Sequence, residues 1–446
     1  MTIRNRAAAR IVTAAVGALL VLVPAIPTTA ATSAQNAVRG RPAGESQLRQ
    51  LTDSIVAAGA PGAAVILDDG RRMQTAGSGL ADLRPNRPMR PDLTFRAGSV
   101  TKPMVATVVL QLVGEGKLSL SDTVDRWLPG ILSYGDKVTV RHLLTMSSGI
   151  PDYLRGQVII DVHTTPTGRF RSYSPRELVA LVAARPPNFA PGTALEYSNT
   201  NYVLAGLIVE AATGASLGHE LSRRVFRPLR LRNTSFPVHN LTIAGRNARG
   251  YSLPVDPRTG PVETGDPQDF TLINPSFTWA AGNVVSDLDD LTRFLSALLR
   301  GRLLSPALLA EMKTPLDTGD PEVGYGLGLQ VINTPCGPVI GHNGSIPGFH
   351  TMVLATDDGH RQFAVTVNEY FLSRTALHAF DQAVVALMRQ LFPGRACGQA
   401  AGRQLPGAAM DIQGGDALAV SADRGGAAAV VVPIVHDRRT TGRRPN

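Results

Sequence analysis

Phe95-Arg96-Ala97-Gly98-Ser99-Val100-Thr101-Lys102-Pro103-Met104 is the stretch on which the reading of this chain turns. Val105, Val108, Val109 and Leu112 follow at helical spacing, which predicts a helix over about Ser99 to Val113. Pro103 suits only a first turn, because a proline deeper inside would break the helix. Ser99 and Lys102, three residues apart, then share one face, and the amine reaches the hydroxyl. A serine at a helix start often serves only as a cap. With a base beside it, however, its hydroxyl becomes a usable nucleophile. A lysine is such a base only when desolvation or nearby positive charge populates its neutral form. The helix start also offers the Ser99 N–H to a developing oxyanion. The 44 basic residues include just four lysines, at 102, 117, 137 and 313. Keeping a lysine at 102 in so arginine-rich a chain points to an amine that must be able to lose its proton.

Two later segments carry complementary groups. Tyr197-Ser198-Asn199 follows Pro191-Gly192 and opens a helix marked by Tyr202, Leu204, Leu207 and Ile208. A phenol there can relay a proton to a leaving group, and the Asn199 amide can bond a substrate carbonyl or Lys102. Gly341-His342-Asn343-Gly344-Ser345 follows the strand-like run Pro338 to Ile340. Its glycines let a substrate backbone approach the strand edge. His342 can polarise the phenol or orient a substrate, and the Ser345 N–H is a second oxyanion donor.

Around these segments the chain is organised simply. A helix is expected over 45–60, then a hairpin of strands Ala63 to Leu67 and Met73 to Gly79. The middle is mainly helical, including Tyr202 to Ala212 and Leu288 to Leu299. Strands return at Gly326 to Ile332, Pro338 to His342, His350 to Ala355 and Phe363 to Asn368, before a last helix over Thr375 to Leu391. The expected class is α/β: one antiparallel sheet built from both chain ends and packed with helices, plus an inserted all-helical lobe.

Charge and composition exclude several function classes. The formal charge of +9 comes mostly from Arg4, Arg6 and Arg10 and from the arginine-rich stretch after residue 398. No dense basic run interleaved with aromatics remains, so nucleic acid is not expected as a partner. The same three arginines precede an apolar run from Ile11 to Val23 and small residues through Ala34. That is the form of a secretory signal over 1–34, cleaved near Ala30 to Ala34, and it is too short for a comfortable membrane span. Residues 399–446 lack periodicity and read as a disordered tail. Cys336 and Cys397 permit one disulfide in an exported chain and are too few for a structural zinc site. Gly214-Ala215-Ser216-Leu217-Gly218 has the form of a nucleophile elbow but follows a helix where that elbow needs a strand. Asp287, Asp289 and Asp290 suit a helix N-terminus, and His142 reads as an ordinary packed histidine.

Ser-x-x-Lys, Tyr-Ser-Asn and His-x-Gly, in that order and context, resemble the serine β-lactamase and DD-peptidase superfamily. The likeness extends over roughly 45–398, including Leu143-Leu144-Thr145 to Ser148-Gly149, Val225-Phe226-Arg227-Pro228-Leu229 and Tyr325-Gly326-Leu327-Gly328-Leu329. It runs most toward exported actinomycete D-alanyl-D-alanine carboxypeptidases, class C β-lactamase-like, including the positions of both cysteines. The resemblance implies that Ser99 attacks an acyl group and Lys102 takes its proton. Tyr197 and His342 join in proton transfer and Asn199 holds the substrate amide. Ser99 and Ser345 form the oxyanion hole, and Trp279 walls the site. It implies no metal or organic cofactor, and it implies small peptides, esters or β-lactams, or peptidoglycan, as partners.

One departure stands out. Where those carboxypeptidases grip a terminal carboxylate with arginine, this chain has Gln330, and no Arg or Lys occurs between Glu322 and His350. Gln330, Asn343 and Gly344 would then meet the substrate without charge, and a charge-assisted bond is roughly twice as strong as a neutral one. D-alanyl-D-alanine carboxypeptidase action is the expectation. Esterase, D-amino-acid amidase or β-lactamase action on the same scaffold, and a non-catalytic penicillin-binding sensor, are the alternatives.

Overall fold

Strand-forming runs from opposite ends of the chain meet in one sheet. The computed structural model describes residues 43–256, 260–262, 265–317, 323–370, 372–393 and 432–433. The expected leader over 1–34, Cys397 and the expected tail over 399–446 lie outside the described residues, apart from Val432–Pro433, which runs antiparallel to Ala194–Leu195. Strands β1 (Gly62–Asp68), β2 (Met73–Asp82) and β3 (Arg87–Pro88) come from the N-terminal side. Strands β4 (Val323–Tyr325), β5 (Gln330–Thr334), β6 (Gly337–Ile346), β7 (Phe349–Thr356) and β8 (Gln362–Val367) come from the C-terminal side. They lie in the order β4-β5-β6-β7-β8-β1-β2-β3, every neighbouring pair antiparallel. The seam is β1 on β8, with Ala63 opposite Val367 and Leu67 opposite Phe363.

The main helices are α1 (Ala43–Ala57), α2 (Thr101–Gly114), α3 (Asn199–Thr213), α4 (Leu288–Leu299) and α5 (Arg374–Gln390). Successive strand side chains point to opposite faces, and here both faces are covered. Ala63, Val65 and Leu67 share a core with Leu48 and Ile55 of α1 and Phe380, Val384 and Leu387 of α5. Ala64 and Ile66 belong to the other core, which holds Val105, Val108 and Val109 of α2 and the helical lobe. That two-sided burial is why β1 reads as an unbroken apolar run.

Helix boundaries follow local chemistry. The Asp287 carboxylate accepts from the Asp290 N–H at 2.8 Å and starts α4, so this acidic cluster contains a helix cap. The Ser373 hydroxyl does the same for α5 through the Ala376 N–H. Helix α3 ends at Gly214, left-handed at φ 67°, and Ser216 caps the short helix beyond, so the Gly-x-Ser-x-Gly run joins two helices. Two expectations need correction. Ser99 lies on a 3-10 turn, Gly98–Val100, and the α-helix begins at Thr101. The expected strand from Gly326 splits, because Gly326 to Leu329 turn between β4 and β5. Gly328 takes φ +86°, and a Cβ there would sit 2.6 Å from the Tyr202 hydroxyl.

The seam between β1 and β8 rests on the terminal helices, so their shared core is expected to set global stability. Phe380→Ala, which removes a fully buried ring, should cost about 3–5 kcal/mol in urea unfolding. The turnover rate of the remaining folded enzyme should be nearly unchanged.

Candidate active site

Ser99 is held by a turn pressed onto β6. The strand Phe95–Arg96 pairs with Val285–Ser286, and Gly98 then takes φ +56°. A Cβ at Gly98 would lie 2.8 Å from the Ser345 carbonyl oxygen, so only glycine allows this approach. Gly344 serves the same contact from the strand side, since its Cβ would lie 2.1 Å from the Ala97 oxygen. The Thr101 hydroxyl donates to the Gly98 oxygen at 2.7 Å and accepts from the Val284 N–H at 3.0 Å, bracing the turn.

Lys102 is fully buried, and its amine faces three oxygens: Ser99 Oγ at 2.8 Å, Asn199 Oδ1 at 2.9 Å and the Ala281 carbonyl at 2.9 Å. Burial lowers its proton affinity well below the ordinary lysine value, and the Asp152 charge works in the opposite direction. The ring centroid of Tyr197 lies 4.8 Å from Nζ. Asn199 is fixed at its other end, where Nδ2 donates to Asp152 Oδ2 at 2.9 Å. The Ala281 carbonyl is delivered by a short 3-10 turn, Trp279–Ala281, that begins with Trp279 at φ +35°. A non-glycine residue in that region costs roughly 1–3 kcal/mol and persists only where its surroundings enforce it.

His342 is buried behind this group. Its Nδ1 is 2.5 Å from the Asn343 carbonyl, which can only accept, so Nδ1 carries the proton and Nε2 accepts from the Tyr325 hydroxyl at 3.0 Å. Burial first, and then the nearby Lys102, push the imidazole down to about 3, so it is neutral at physiological pH. Its ring centroid lies 6.4 Å from that of Tyr197.

The cavity at the turn is lined by Ser99, Tyr197, Asn199 and Ser345, together with Asp152, Leu154, Arg155, Ile159, Thr278, Ala281, Gly282 and Tyr370. Of the expected catalytic group, Ser99, Lys102 and Tyr197 are brought together, with Lys102 behind the lining, whereas His342 lies farther back with both ring nitrogens bonded to Asn343 and Tyr325 rather than to the phenol of Tyr197. Four expected substrate contacts fall elsewhere, Gly344 among them, since it packs on Ala97 and Val100. Gln330 and Asn343 are buried and bonded to each other, Nε2 to Oδ1 at 2.9 Å and the Asn343 N–H to Gln330 Oε1 at 3.2 Å. Trp279 turns its ring onto α3 beside Gly206, so its neighbours Thr278, Ala281 and Gly282 wall the cavity instead. The Asn343 N–H points sideways from β6 toward the β5 side. By the two-residue period, the Ser345 N–H points to that same edge, beyond the last β5 partner at Gly341. The Ser345 hydroxyl is bonded to His350 Nδ1 at 2.6 Å. Cys336 is disulfide-bonded, and Cys397, the only other cysteine in the sequence, lies outside the described residues.

Asp152, Arg155 and Tyr370 join the site without belonging to any of the sequence motifs. The one local signal for Asp152 is its cap-like place after Pro151, where it accepts from the Leu154 N–H and starts a 3-10 turn.

A serine whose hydroxyl faces a buried amine, at the foot of a cavity beside a strand edge, defines an active-site serine hydrolase. The comparisons agree. The Beta-lactamase family profile matches residues 46–387, and the chain belongs to that family. Its fold is shared with a D-stereospecific amidohydrolase from Streptomyces sp., 35% identical over 75% of this chain and 98% of that one, with a TM-score of 0.68. The D-amino acid amidase of Ochrobactrum anthropi SV3 is 30% identical over 78% of this chain and 98% of that one, with a TM-score of 0.67. Esterase EstB of Burkholderia gladioli is 38% identical over 306 residues, covering 61% of this chain and 75% of the esterase.

Buried histidines give the molecule a defined acid limit. Burial holds His342 down to about 3 and His163 and His350 down to about 4. All three are neutral in the fold and take up protons on unfolding below pH 6.5. Their contribution to stability is therefore full above pH 6.5 and is lost as pH falls toward 4. Glu369 opposes them, burial raising its carboxyl to about 8, and so do Asp152, Asp287 and Asp290, which burial also raises, while His142 and Lys102, lowered by burial, act with the three histidines. Urea midpoints should rise with pH between 5 and 6.5, and His163→Gln with His350→Gln should flatten that slope.

Proposed function

We propose that this chain is an exported serine hydrolase of small amides and esters that works through an acyl-enzyme and does not require a free carboxylate on the leaving side. The observation that carries the chemistry is the 2.8 Å contact between Lys102 Nζ and Ser99 Oγ, with the other two neighbours of Nζ both acceptors. A neutral amine has two hydrogens and one lone pair. Asn199 Oδ1 and the Ala281 carbonyl take the hydrogens, which leaves the lone pair for the hydroxyl proton. As that proton moves to Nζ, Ser99 Oγ bonds to the acyl carbon and the carbonyl electron pair moves to oxygen, facing the Ser99 and Ser345 N–H groups. The tetrahedral species collapses with loss of the leaving group, which takes a proton passed through Lys102 and Tyr197. Water then attacks the ester carbonyl while the same groups take its proton, and they pass that proton to Ser99 Oγ as the acyl–oxygen bond breaks and the acid is released.

Substrate choice follows from where the charges lie. Gln330 and Asn343 satisfy each other, so the β6 wall offers no cation to a terminal carboxylate. Among the described residues lining the cavity, the one cation is Arg155, three residues from Asp152. The lack of a cation on the β6 wall supports amidase or esterase action over carboxypeptidase action, and the amidase and esterase relatives lean the same way. The basic, apolar and small-residue segments of 1–34 support export.

Three acyl donors test this reading: an aryl ester, a D-amino-acid amide and a D-Ala-D-Ala peptide, with covalent labelling by a fluorescent penicillin alongside. The ester and amide should turn over well ahead of the peptide. Preference for the peptide would instead establish a carboxypeptidase, and a single stoichiometric burst without turnover would establish a sensor. Ser99→Ala should abolish labelling and lower turnover by at least about 10³-fold. Lys102→Ala should slow acylation by roughly 10²–10⁴-fold.

A further inference from the structure

The proton transfer just described uses Lys102, Ser99, Asn199 and Ala281 but gives no part to Asp152, a buried carboxylate at the same cavity. An amide side chain has two chemically opposite ends of nearly equal shape. With Oδ1 toward Lys102, Asn199 accepts a hydrogen from the amine. Turned over, its Nδ2 would meet an ammonium hydrogen head-on, or would donate into the lone pair of the neutral amine and remove the base.

We propose that Asp152 is the positioning residue that prevents this reversal, and that by fixing the Asn199 amide it aims the Lys102 lone pair at Ser99. A carboxylate can only accept, so at 2.9 Å it admits only the Nδ2 end of Asn199. Asp152 is itself held. The Leu154 N–H donates to its Oδ1 at 3.0 Å. The Thr200 hydroxyl donates to the Pro151 oxygen at 2.7 Å, and the Tyr153 hydroxyl donates to the Phe277 oxygen at 2.7 Å. These bonds tie the carboxylate to α3 and to the segment that delivers Ala281. The same charge has a second effect of opposite value to catalysis, because it favours the protonated amine. Asp152→Asn separates the two, since an amide at this position keeps the shape but loses both the charge and the acceptor-only character.

This inference rests on the serine acylation reading, and the rate of acylation of the full chain by an aryl ester tests both. Other groups face these two residues. Tyr197, Tyr202 and His342 surround Lys102, while Arg155, Tyr153 and Tyr370 surround Asp152. In Asp152→Asn the plateau of the acylation constant should fall about 10–100-fold, as for misplaced catalytic groups. Its acid limb should move to lower pH, because the charge that favoured the ammonium is gone. The double variant Asp152→Asn with Asn199→Asp again gives Lys102 an acceptor-only neighbour. It should recover part of the plateau, with the acid limb now above that of the unsubstituted enzyme. A merely structural role would lower the rate and the urea midpoint with no recovery of the plateau in the double variant, and that result would overturn the proposal. So would an Asp152→Asn plateau within twofold of the starting enzyme. Absence of any acylation burst from the unsubstituted enzyme would remove the serine reading and this inference together.

Discussion

The structure depends on a buried amine surrounded by acceptors. Removing a lysine from water is costly, and the cost falls on its charged form. Three oxygens around Nζ match the three hydrogens of an ammonium. The same three positions match the two hydrogens and one lone pair of the neutral amine. Both protonation states therefore fit one arrangement, and moving a proton between Ser99 and Lys102 requires no turning of neighbouring dipoles. Preorganisation of this kind keeps electrostatic assistance available at the moment of reaction.

Each of those oxygens comes from a different part of the chain, and the sheet is what brings them together. Closure of β1 against β8 joins the two ends, while β6 runs past the end of its pairing with β5 and leaves an edge at Ser345. Unpaired strand edges are ordinarily a hazard. Here the edge is occupied by the turn that carries Ser99, through the glycine contacts at 98 and 344. The Ser99 turn and the Ser345 backbone are thus placed by one backbone-to-backbone contact that no side chain larger than hydrogen allows.

What the sequence makes legible is local. Ser99 and Lys102 lie three residues apart, and Asn199 and Tyr197 sit where a helix begins, so spacing makes them candidates and the resemblance of the three motifs together joins them into one site. Asp152 reaches Asn199 across 47 residues, and the Ala281 carbonyl reaches Lys102 across 179. No periodicity encodes such meetings, and a backbone oxygen has no sequence signature at all. The misreadings share another cause. Gln330 and Asn343 read as substrate contacts because they replace charged or hydroxylated groups, yet facing side chains on adjacent strands can simply satisfy each other. Trp279 reads as a wall by its position near the site, but its left-handed backbone sends the ring onto Gly206. The turn at Gly326 to Leu329 is hidden inside an apolar run that reads equally well as strand.

The Gln330–Asn343 pair also bears on how this scaffold can change its substrates. An arginine at 330 would need an acid or a bound carboxylate nearby, because an uncompensated buried charge is severely unfavourable. The neutral pair needs neither, since it fills its own hydrogen bonds and leaves the β6 wall indifferent to what charge the leaving group carries. The acylating groups proposed above lie apart from that wall, in the contacts among Ser99, Lys102, Asn199 and Asp152. Recognition of the leaving side and activation of the nucleophile are therefore carried by different residues. A single family can retain the second while altering the first, and this chain holds the amine and its acceptors with no charge on the β6 wall to grip a carboxylate.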